Sequence, residues 1–223
     1  MKRIFSKIID LIYPPICSIC GKVSTKTLCN KCKNKLKDEF VWNVDNYNND
    51  KDKYFSEHYY FFKYKNIIRE QILGLKFQDK PYNQQTITYF FKNMEKSFEK
   101  LKKYDIMIVV PISKARKKER GYNQSQLIAK QVSQIINIPI MKNILEKSKD
   151  TVPQSTLNKV QRQENTKGAY KVKKDNYKKI KNKNILLVDD IYTTGSTINE
   201  CAKVLQEVGI AKKQIGALTL AKD

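Results

Sequence analysis

Apolar runs and helical apolar spacings alternate along most of this sequence. Short apolar runs and clustered aromatic residues predict strands at residues 58–64, 105–110, 138–141, 185–188 and 215–220. Apolar positions three and four residues apart predict helices at residues 67–75, 86–101, 122–136 and 198–208. Most of these runs lack polar alternation, which is typical of parallel strands covered on both faces. The pattern therefore predicts an α/β fold with a mostly parallel sheet.

The beginning of the chain has a different pattern. In residues 1–13 an apolar helical face, broken by Lys7 and Asp10, follows a basic start, and its length is far below the ~20 apolar residues of a membrane span. Two interpretations stay open: a helix that packs on the protein itself, or a basic helix at the inner membrane face. No other segment is apolar enough to span a bilayer, so we expect a cytoplasmic protein.

The region between the two patterns is polar. Residues 44–53 are rich in Asp, Asn and Lys, which predicts a linker or surface loop. The sequence therefore predicts two units, an N-terminal unit at residues 1–43 and a larger α/β unit at residues 54–223.

Composition adds a strong positive charge to an otherwise ordinary globular protein. Apolar residues make up 40% and charged residues 30% of the 223 residues, but 44 Lys and Arg face only 22 Asp and Glu. The resulting net charge of +22 favours nucleic acid, an anionic membrane or phosphorylated small molecules as partners. The alternative is a compositional bias that only keeps the surface solvated.

Four of the five cysteines form two C-x2-C pairs, Cys17 with Cys20 and Cys29 with Cys32. Paired cysteines at this spacing suit tetrahedral thiolate coordination, so we expect a structural Zn²⁺ with no open position for catalysis. Two disulfides are the alternative, but they require an oxidising compartment. Cys201 falls on the apolar face of a predicted helix and is expected to be a core residue.

The most informative stretch is residues 185–198, ILLVDDIYTTGSTI. A buried strand runs into Asp189 and Asp190, which can accept hydrogen bonds from sugar hydroxyls. A loop of hydroxyl residues around Gly195 then precedes a helix, and such a loop binds phosphate through backbone N–H groups. It lacks the lysine of a nucleotide P-loop. Together the two features predict a ribose 5-phosphate ligand.

This stretch resembles the phosphoribosyl-pyrophosphate (PRPP) motif of type I phosphoribosyltransferases. With the cysteine pairs, GLKF at 74–77, VVPISKARKKERGYNQSQLIA at 109–129 and TVPQSTLNKVQRQEN at 151–165, the whole chain resembles the ComF family of competence-associated, phosphoribosyltransferase-like proteins. Tyr122 stands where that family usually has Phe. The resemblance implies a type I phosphoribosyltransferase sheet with a small N-terminal zinc module.

The resemblance also implies roles for individual residues. Asp189 and Asp190 would contact the ribose hydroxyls. The 5-phosphate would be held by Thr193, Thr194, Gly195, Ser196 and Thr197. Transfer from PRPP needs cations at the pyrophosphate, usually Mg²⁺ with Lys or Arg. The candidate catalytic residues are Arg120, Lys114 and Arg116, on a loop after Pro111 that we expect to close over the ligand with Gly121 as a hinge.

Two functions remain open from the sequence. The first is a PRPP-binding protein of natural competence that handles incoming single-stranded DNA, with DNA-uptake proteins as partners. The second is an active phosphoribosyltransferase of nucleotide metabolism, although no segment is recognisable as an acceptor base site. The lysine-rich residues 171–184, between Tyr170 and the next strand, are either a solvated connection or the wall of a DNA groove.

Overall fold

The computed structural model of the chain describes residues 14–77, 86, 88–89, 91, 95–149, 151 and 157–223. The helix predicted at residues 1–13 lies outside these residues, as do residues 87, 90 and 92–94 of the helix predicted at 86–101. The last part of that second helix, Glu95–Leu101, is a 3₁₀ helix. Within the described part of the chain, no helix combines the length and apolar character needed to cross a membrane.

Among the described residues, seven strands form a five-stranded sheet and a separate two-stranded antiparallel sheet. The strands are β1 (Phe40–Asn46), β2 (Glu57–Lys63), β3 (Ile106–Val109), β4 (Leu145–Lys147), β5 (Tyr170–Val172), β6 (Ile185–Tyr192) and β7 (Ile215–Lys222). The large sheet has the order β1-β2-β7-β6-β3, in which β1 alone is antiparallel to its neighbour, and β4 pairs with β5. The predicted mostly parallel α/β sheet is confirmed.

Helices cover both faces of this sheet. They are α1 (Asn30–Asp38), α2 (Asn66–Phe77), α3 (Lys114–Arg120), α4 (Gln124–Ile136), α5 (Lys159–Thr166) and α6 (Ser196–Glu207). Alternate residues of β6 enter two different apolar clusters: Leu186 packs with Val132 of α4, whereas Leu187 packs with Leu205 of α6. This two-sided burial is the reason that the β6 sequence lacks polar alternation.

The N-terminal cysteine module packs directly on the large sheet. Its residues Cys17, Leu28 and Leu36 belong to the same apolar cluster as Phe61 of β2 and Leu186 of β6. The helix α1 ends at Asp38, and β1 begins two residues later. Residues 44–46, predicted as part of a linker, are therefore strand residues at the edge of the sheet.

Other elements differ from the sequence prediction because their signals are weak. Residues 138–141, predicted as a strand, form only an isolated bridge between Met107 and Ile140. The pairing of β4 with β5 was not predicted, because strands of three residues are too short to show a periodic pattern of apolar and polar residues. Cys201 is fully buried in α6, as predicted.

Candidate functional site

A cavity of about 410 Å³ lies at the carboxyl ends of β3 and β6, where parallel sheets bind their ligands. Of the ten residues predicted to bind or transform the ligand, seven line it: Asp189, Asp190, Thr193, Ser196, Thr197, Arg116 and Arg120. Thr194, Gly195 and Lys114 are not among its lining residues. The structure thus brings together an acidic pair, a hydroxyl-rich loop and two guanidinium groups around one space.

The hydroxyl-rich loop, residues 193–197, connects β6 to the start of α6. Gly195 has a left-handed φ of 74°, which lets the chain turn sharply before the helix begins. Thr194 shapes the loop internally, because its Oγ1 accepts the Ser196 N–H at 3.3 Å and donates to Ser196 Oγ at 3.1 Å. The first N–H groups of α6 have no partner within the helix and form a site suited to an anion.

The acidic pair is oriented by the backbone and by one serine. Asp189 Oδ1 accepts hydrogen bonds from Ser125 Oγ and from the Asp190 N–H, each at 2.9 Å. Asp190 Oδ1 accepts the Ile191 N–H at 2.8 Å. These hydrogen bonds orient the two carboxylates, and each side chain lines the cavity.

The structure explains the run of residues Arg120-Gly121-Tyr122-Asn123-Gln124. Gly121, at φ 72°, ends α3 in a left-handed turn. Asn123 caps α4 by accepting the Ser125 N–H at 3.1 Å, and its Nδ2 donates to the Val110 carbonyl oxygen at 2.9 Å. The turn therefore fixes the start of α4 to the end of β3 and places Ser125 beside Asp189. Periodicity does not reveal Ser125.

The basic segment after Pro111 is a helix, so the prediction of a loop was wrong. Ser113 caps α3 by accepting the Arg116 N–H at 3.3 Å. Lys, Arg and Glu are good helix formers, but none of the α3 residues is buried, so the helix shows no apolar period. Arg116 and Arg120 face the cavity, whereas Lys114 is exposed at the start of the helix.

The two arginines form a concentration of positive charge. Burial lowers the pKa of Arg120, and the neighbouring Arg116 cation lowers it further, while Asp190 acts in the opposite direction. An arginine remains protonated in a protein, so this lowered pKa indicates a desolvated cation beside a like charge. A polyanionic ligand between Arg116 and Arg120 would relieve that repulsion.

The strands β4 and β5 and the helix α5 form one wall of the cavity. The sequence did not predict that these elements belong to the site. Lys147 Nζ donates to Thr151 Oγ1 at 2.7 Å and lies 5.5 Å from the centre of the Tyr170 ring. Arg162 lines the same wall, and its Nε donates to the Leu157 carbonyl oxygen at 3.0 Å. Thr151, Leu157 and Arg162 belong to the segment that carried the family resemblance, which was the available signal for this wall.

A second unpredicted wall lies on the side of β2 and α2. Tyr64, Arg69 and Leu73 line the cavity there, next to Ile191 of β6. An aromatic ring, an apolar side chain and a guanidinium group together suit a flat, polar-edged ligand group. The sequence did not reveal this wall.

The four paired cysteines form a separate cluster in the N-terminal module. Their sulfur atoms all lie within 4.8 Å of one another, and Cys20 Sγ and Cys29 Sγ are 3.9 Å apart. A tetrahedral Zn²⁺ site with Zn–S bonds of about 2.3 Å requires sulfur–sulfur separations of about 3.8 Å. All four thiols are free of disulfide bonds. The cluster predicted from spacing is confirmed, and its geometry fits a structural zinc ion.

Backbone hydrogen bonds favour thiolate chemistry in this cluster. Burial acts to raise the pKa of Cys17, but backbone N–H groups, including those of Cys20 and Cys29, lower it to about 6. The Cys29 N–H lies 3.4 Å from Cys17 Sγ. Metal ligands must be thiolates, so these N–H groups prepare Cys17 for the metal.

Comparisons with known proteins give matches both for the α/β part of the chain and for the N-terminal cysteine module. The family described as phosphoribosyl transferase domain matches residues 94–223, and the double zinc ribbon domain matches residues 8–41. Competence protein F of Haemophilus influenzae is 31% identical over 212 residues, which cover 93% of this chain and 85% of that protein. Competence protein ComFC of Bacillus subtilis is 25% identical over 214 residues, covering 93% of this chain and 78% of that protein. The DNA utilization protein YhgH of Escherichia coli O157:H7 is 30% identical over 114 residues, covering 51% of this chain and 48% of that protein.

Proposed function

The chain belongs to the ComF family of competence-related, phosphoribosyltransferase-like proteins, and on that premise we propose that it binds PRPP or a related phosphoribosyl ligand with Mg²⁺ and handles single-stranded DNA in natural competence. The observation that carries this proposal is one cavity lined by the acidic pair, by the hydroxyl-rich loop at residues 193–197 and by Arg116 and Arg120. A phosphoribosyl pyrophosphate presents hydroxyls and two separate phosphate groups, which matches these three kinds of wall.

Each part of the ligand has a proposed partner. The carboxylates of Asp189 and Asp190 accept hydrogen bonds from the ribose hydroxyls. The loop at residues 193–197 binds the 5-phosphate through its N–H groups and hydroxyls, supported by the start of α6. Arg116 and Arg120 bind the pyrophosphate, and Lys114 attracts it from the rim of the cavity. Mg²⁺, when bound, would neutralise pyrophosphate charge and leave the protein side chains to position the ribose.

The proposal for DNA is supported by charge and by the names of the relatives. The net charge of +22 exceeds what one PRPP site requires, and relatives are named as competence and DNA utilization proteins. Within the lysine-rich residues 171–184, Lys171 and Lys173 form ion pairs with Glu146, and Lys178 and Lys181 are exposed. Exposed lysines also cover the cysteine module, including Lys31 and Lys35. These two surfaces are the proposed contacts for phosphate backbone.

Division of the chain and its cellular location remain proposals as well. The separate family matches at residues 8–41 and 94–223 support units at 1–43 and 54–223, which β1 joins. Four clustered cysteines without disulfide bonds favour the reducing cytoplasm. Contact of residues 1–13 with the inner membrane face and binding to DNA-uptake proteins stay hypotheses.

The test of the ligand site is calorimetric titration with PRPP in the presence and absence of Mg²⁺. The double variant Asp189→Asn with Asp190→Asn is expected to lose Mg²⁺-dependent PRPP binding while its thermal unfolding and zinc content stay close to those of the wild type. The control is Asp38→Asn with Glu99→Gln, which removes two exposed negative charges outside the cavity. Unchanged PRPP affinity in the Asp189 and Asp190 variant would refute the assignment.

The DNA proposal is tested on the same sample with a fluorescent single-stranded oligonucleotide. Binding should weaken steeply with salt, and the slope of log affinity against log salt should be about −0.7 for each phosphate contacted. A protein that ignores the oligonucleotide at low salt but releases pyrophosphate from PRPP with one nucleobase would instead be an active phosphoribosyltransferase. The wall of Tyr64, Arg69 and Leu73 is the feature that favours this second function.

A further inference from the structure

An aromatic stack lies next to the hydroxyl-rich loop, residues 193–197. Tyr192, the last residue of β6, is buried, and its ring stacks on His58 of β2 with 4.1 Å between ring centres. The Phe55 ring makes an edge contact with the Tyr192 ring, with 6.4 Å between ring centres. The Tyr192 ring therefore has one aromatic neighbour stacked on a face and a second in a T-shaped contact.

The Tyr192 ring also lies against the turn of the hydroxyl-rich loop. A methyl group built on Gly195 would overlap the ring and the hydroxyl of Tyr192. Gly195 also has a left-handed φ of 74°, a conformation in which a side chain is disfavoured for a second, independent reason. Glycine at this position thus satisfies both the turn and the close approach of the ring.

The stack is held in place from behind as well. His58 is fully buried, and its Nε2 lies 2.8 Å from Thr219 Oγ1 of β7. Its Nδ1 faces Asp45 Oδ2 at 3.6 Å, and Asp45 accepts a hydrogen bond from Lys222 at 2.7 Å. Strands β1, β2 and β7 therefore fix the position of His58, and His58 fixes the ring of Tyr192.

We propose that Tyr192 is a positioning residue for the phosphate loop: its ring, held between His58 and Gly195, keeps the turn in the conformation that directs the N–H groups of residues 193–197 toward the phosphate of the ligand. This inference rests on the proposed phosphoribosyl function. Tyr192 itself is not among the residues that line the cavity, so it acts through Gly195. The required property is a flat ring that fills the space below the turn.

The experiment compares Tyr192→Phe and Tyr192→Ala in calorimetric titrations with ribose 5-phosphate. Tyr192→Phe keeps the ring and is expected to bind as the wild type does. Tyr192→Ala leaves the turn without support, and its affinity should fall about tenfold or more because ordering of the loop must then accompany binding. Leu101→Ala, a fully buried position outside the cavity, provides a control of reduced stability.

The outcomes separate the two proposals. If the wild type does not bind ribose 5-phosphate, the proposed function fails and this inference fails with it. If the wild type binds and Tyr192→Ala binds equally well, only the positioning role is overturned. An equal loss of affinity in Tyr192→Ala and in Leu101→Ala would show a general effect of stability and would also overturn it.

A double-mutant cycle on unfolding tests the contact without any ligand. Gly195→Ala is expected to destabilise the wild type strongly, since the new methyl group meets the ring in an already unfavourable backbone conformation. In the Tyr192→Ala background the overlap is removed, so the destabilisation by Gly195→Ala should become smaller. Equal destabilisation in both backgrounds would show that the ring does not press on the turn, against the proposal.

Discussion

Lowering the pH from 7.5 to 5.5 is expected to destabilise the protein, and His58 is one of the side chains that cause this loss. It is the single histidine of the chain, and it is fully buried against the rings of Tyr60 and Tyr192. Burial lowers its pKa below the ordinary value of 6.5, and the Lys222 and Lys53 cations act in the same direction, although Asp45 opposes them. The folded protein therefore holds His58 neutral.

The sign and size of the effect follow from linkage. Because the folded-state pKa is lowered, the unfolded chain takes up the proton first, and stability is lost as the pH falls below about 6.5. Between the two pKa values the free energy of unfolding should fall by about 1.4 kcal/mol per pH unit. For a chain of this size, 1.4 kcal/mol corresponds to a decrease of about 3–6 °C in Tm. Asp45 does not contribute in this range, since its pKa is lowered to about 2.

The assay is urea unfolding of the wild type and of His58→Gln at several pH values between 5.5 and 7.5. The variant lacks the titrating group and should show a smaller dependence on pH, although it is less stable at pH 7.5. Zinc content must be measured at each pH, because protonation of the cysteine ligands also lowers stability and affects both proteins alike. Parallel curves for the two proteins would refute the assignment of the effect to His58.

Three further changes have defined outcomes. Cys32→Ser should reduce bound zinc, about one per chain in the wild type, and lower Tm; full zinc retention, measured by elemental analysis, would contradict the four-thiolate site. Ser125→Ala removes a hydrogen bond to Asp189 and should weaken PRPP binding about fivefold in calorimetry, with unaltered affinity as the contrary result. Gly121→Ala forces a side chain into a left-handed turn and should lower the free energy of unfolding by about 1 kcal/mol in urea, whereas a neutral effect would contradict the φ of 72°.

The part of the site formed by β6 and the start of α6 could be predicted because its signals are local. Residues 185–188 are buried on both faces, so their apolar run is visible directly in the sequence. The acidic pair and the hydroxyl-rich loop follow within the next few residues of the sequence. The two C-x2-C pairs are equally local, and their cluster was predicted from spacing alone.

The remaining walls depend on contacts between distant positions. Ser125 reaches Asp189 across 64 positions, and no residue in either neighbourhood signals this pairing. The helix α3 has no buried residue and thus no apolar period. The strands β4 and β5 are stabilised by pairing with each other and by packing on α6. Tyr170 of β5 and Ile198 of α6 belong to the same apolar cluster.

Because the cysteine module packs directly on the sheet, the residues that surround the zinc site also form part of the apolar core of the large sheet. Leu28 and Leu36 pack in one cluster with Phe61 and Leu218, and α1 continues into β1 almost without a break. Loss of zinc therefore removes packing from one face of the sheet as well as from the module. The two regions should unfold as a single cooperative unit, so that zinc supply sets how much folded cavity exists and not only how much folded module.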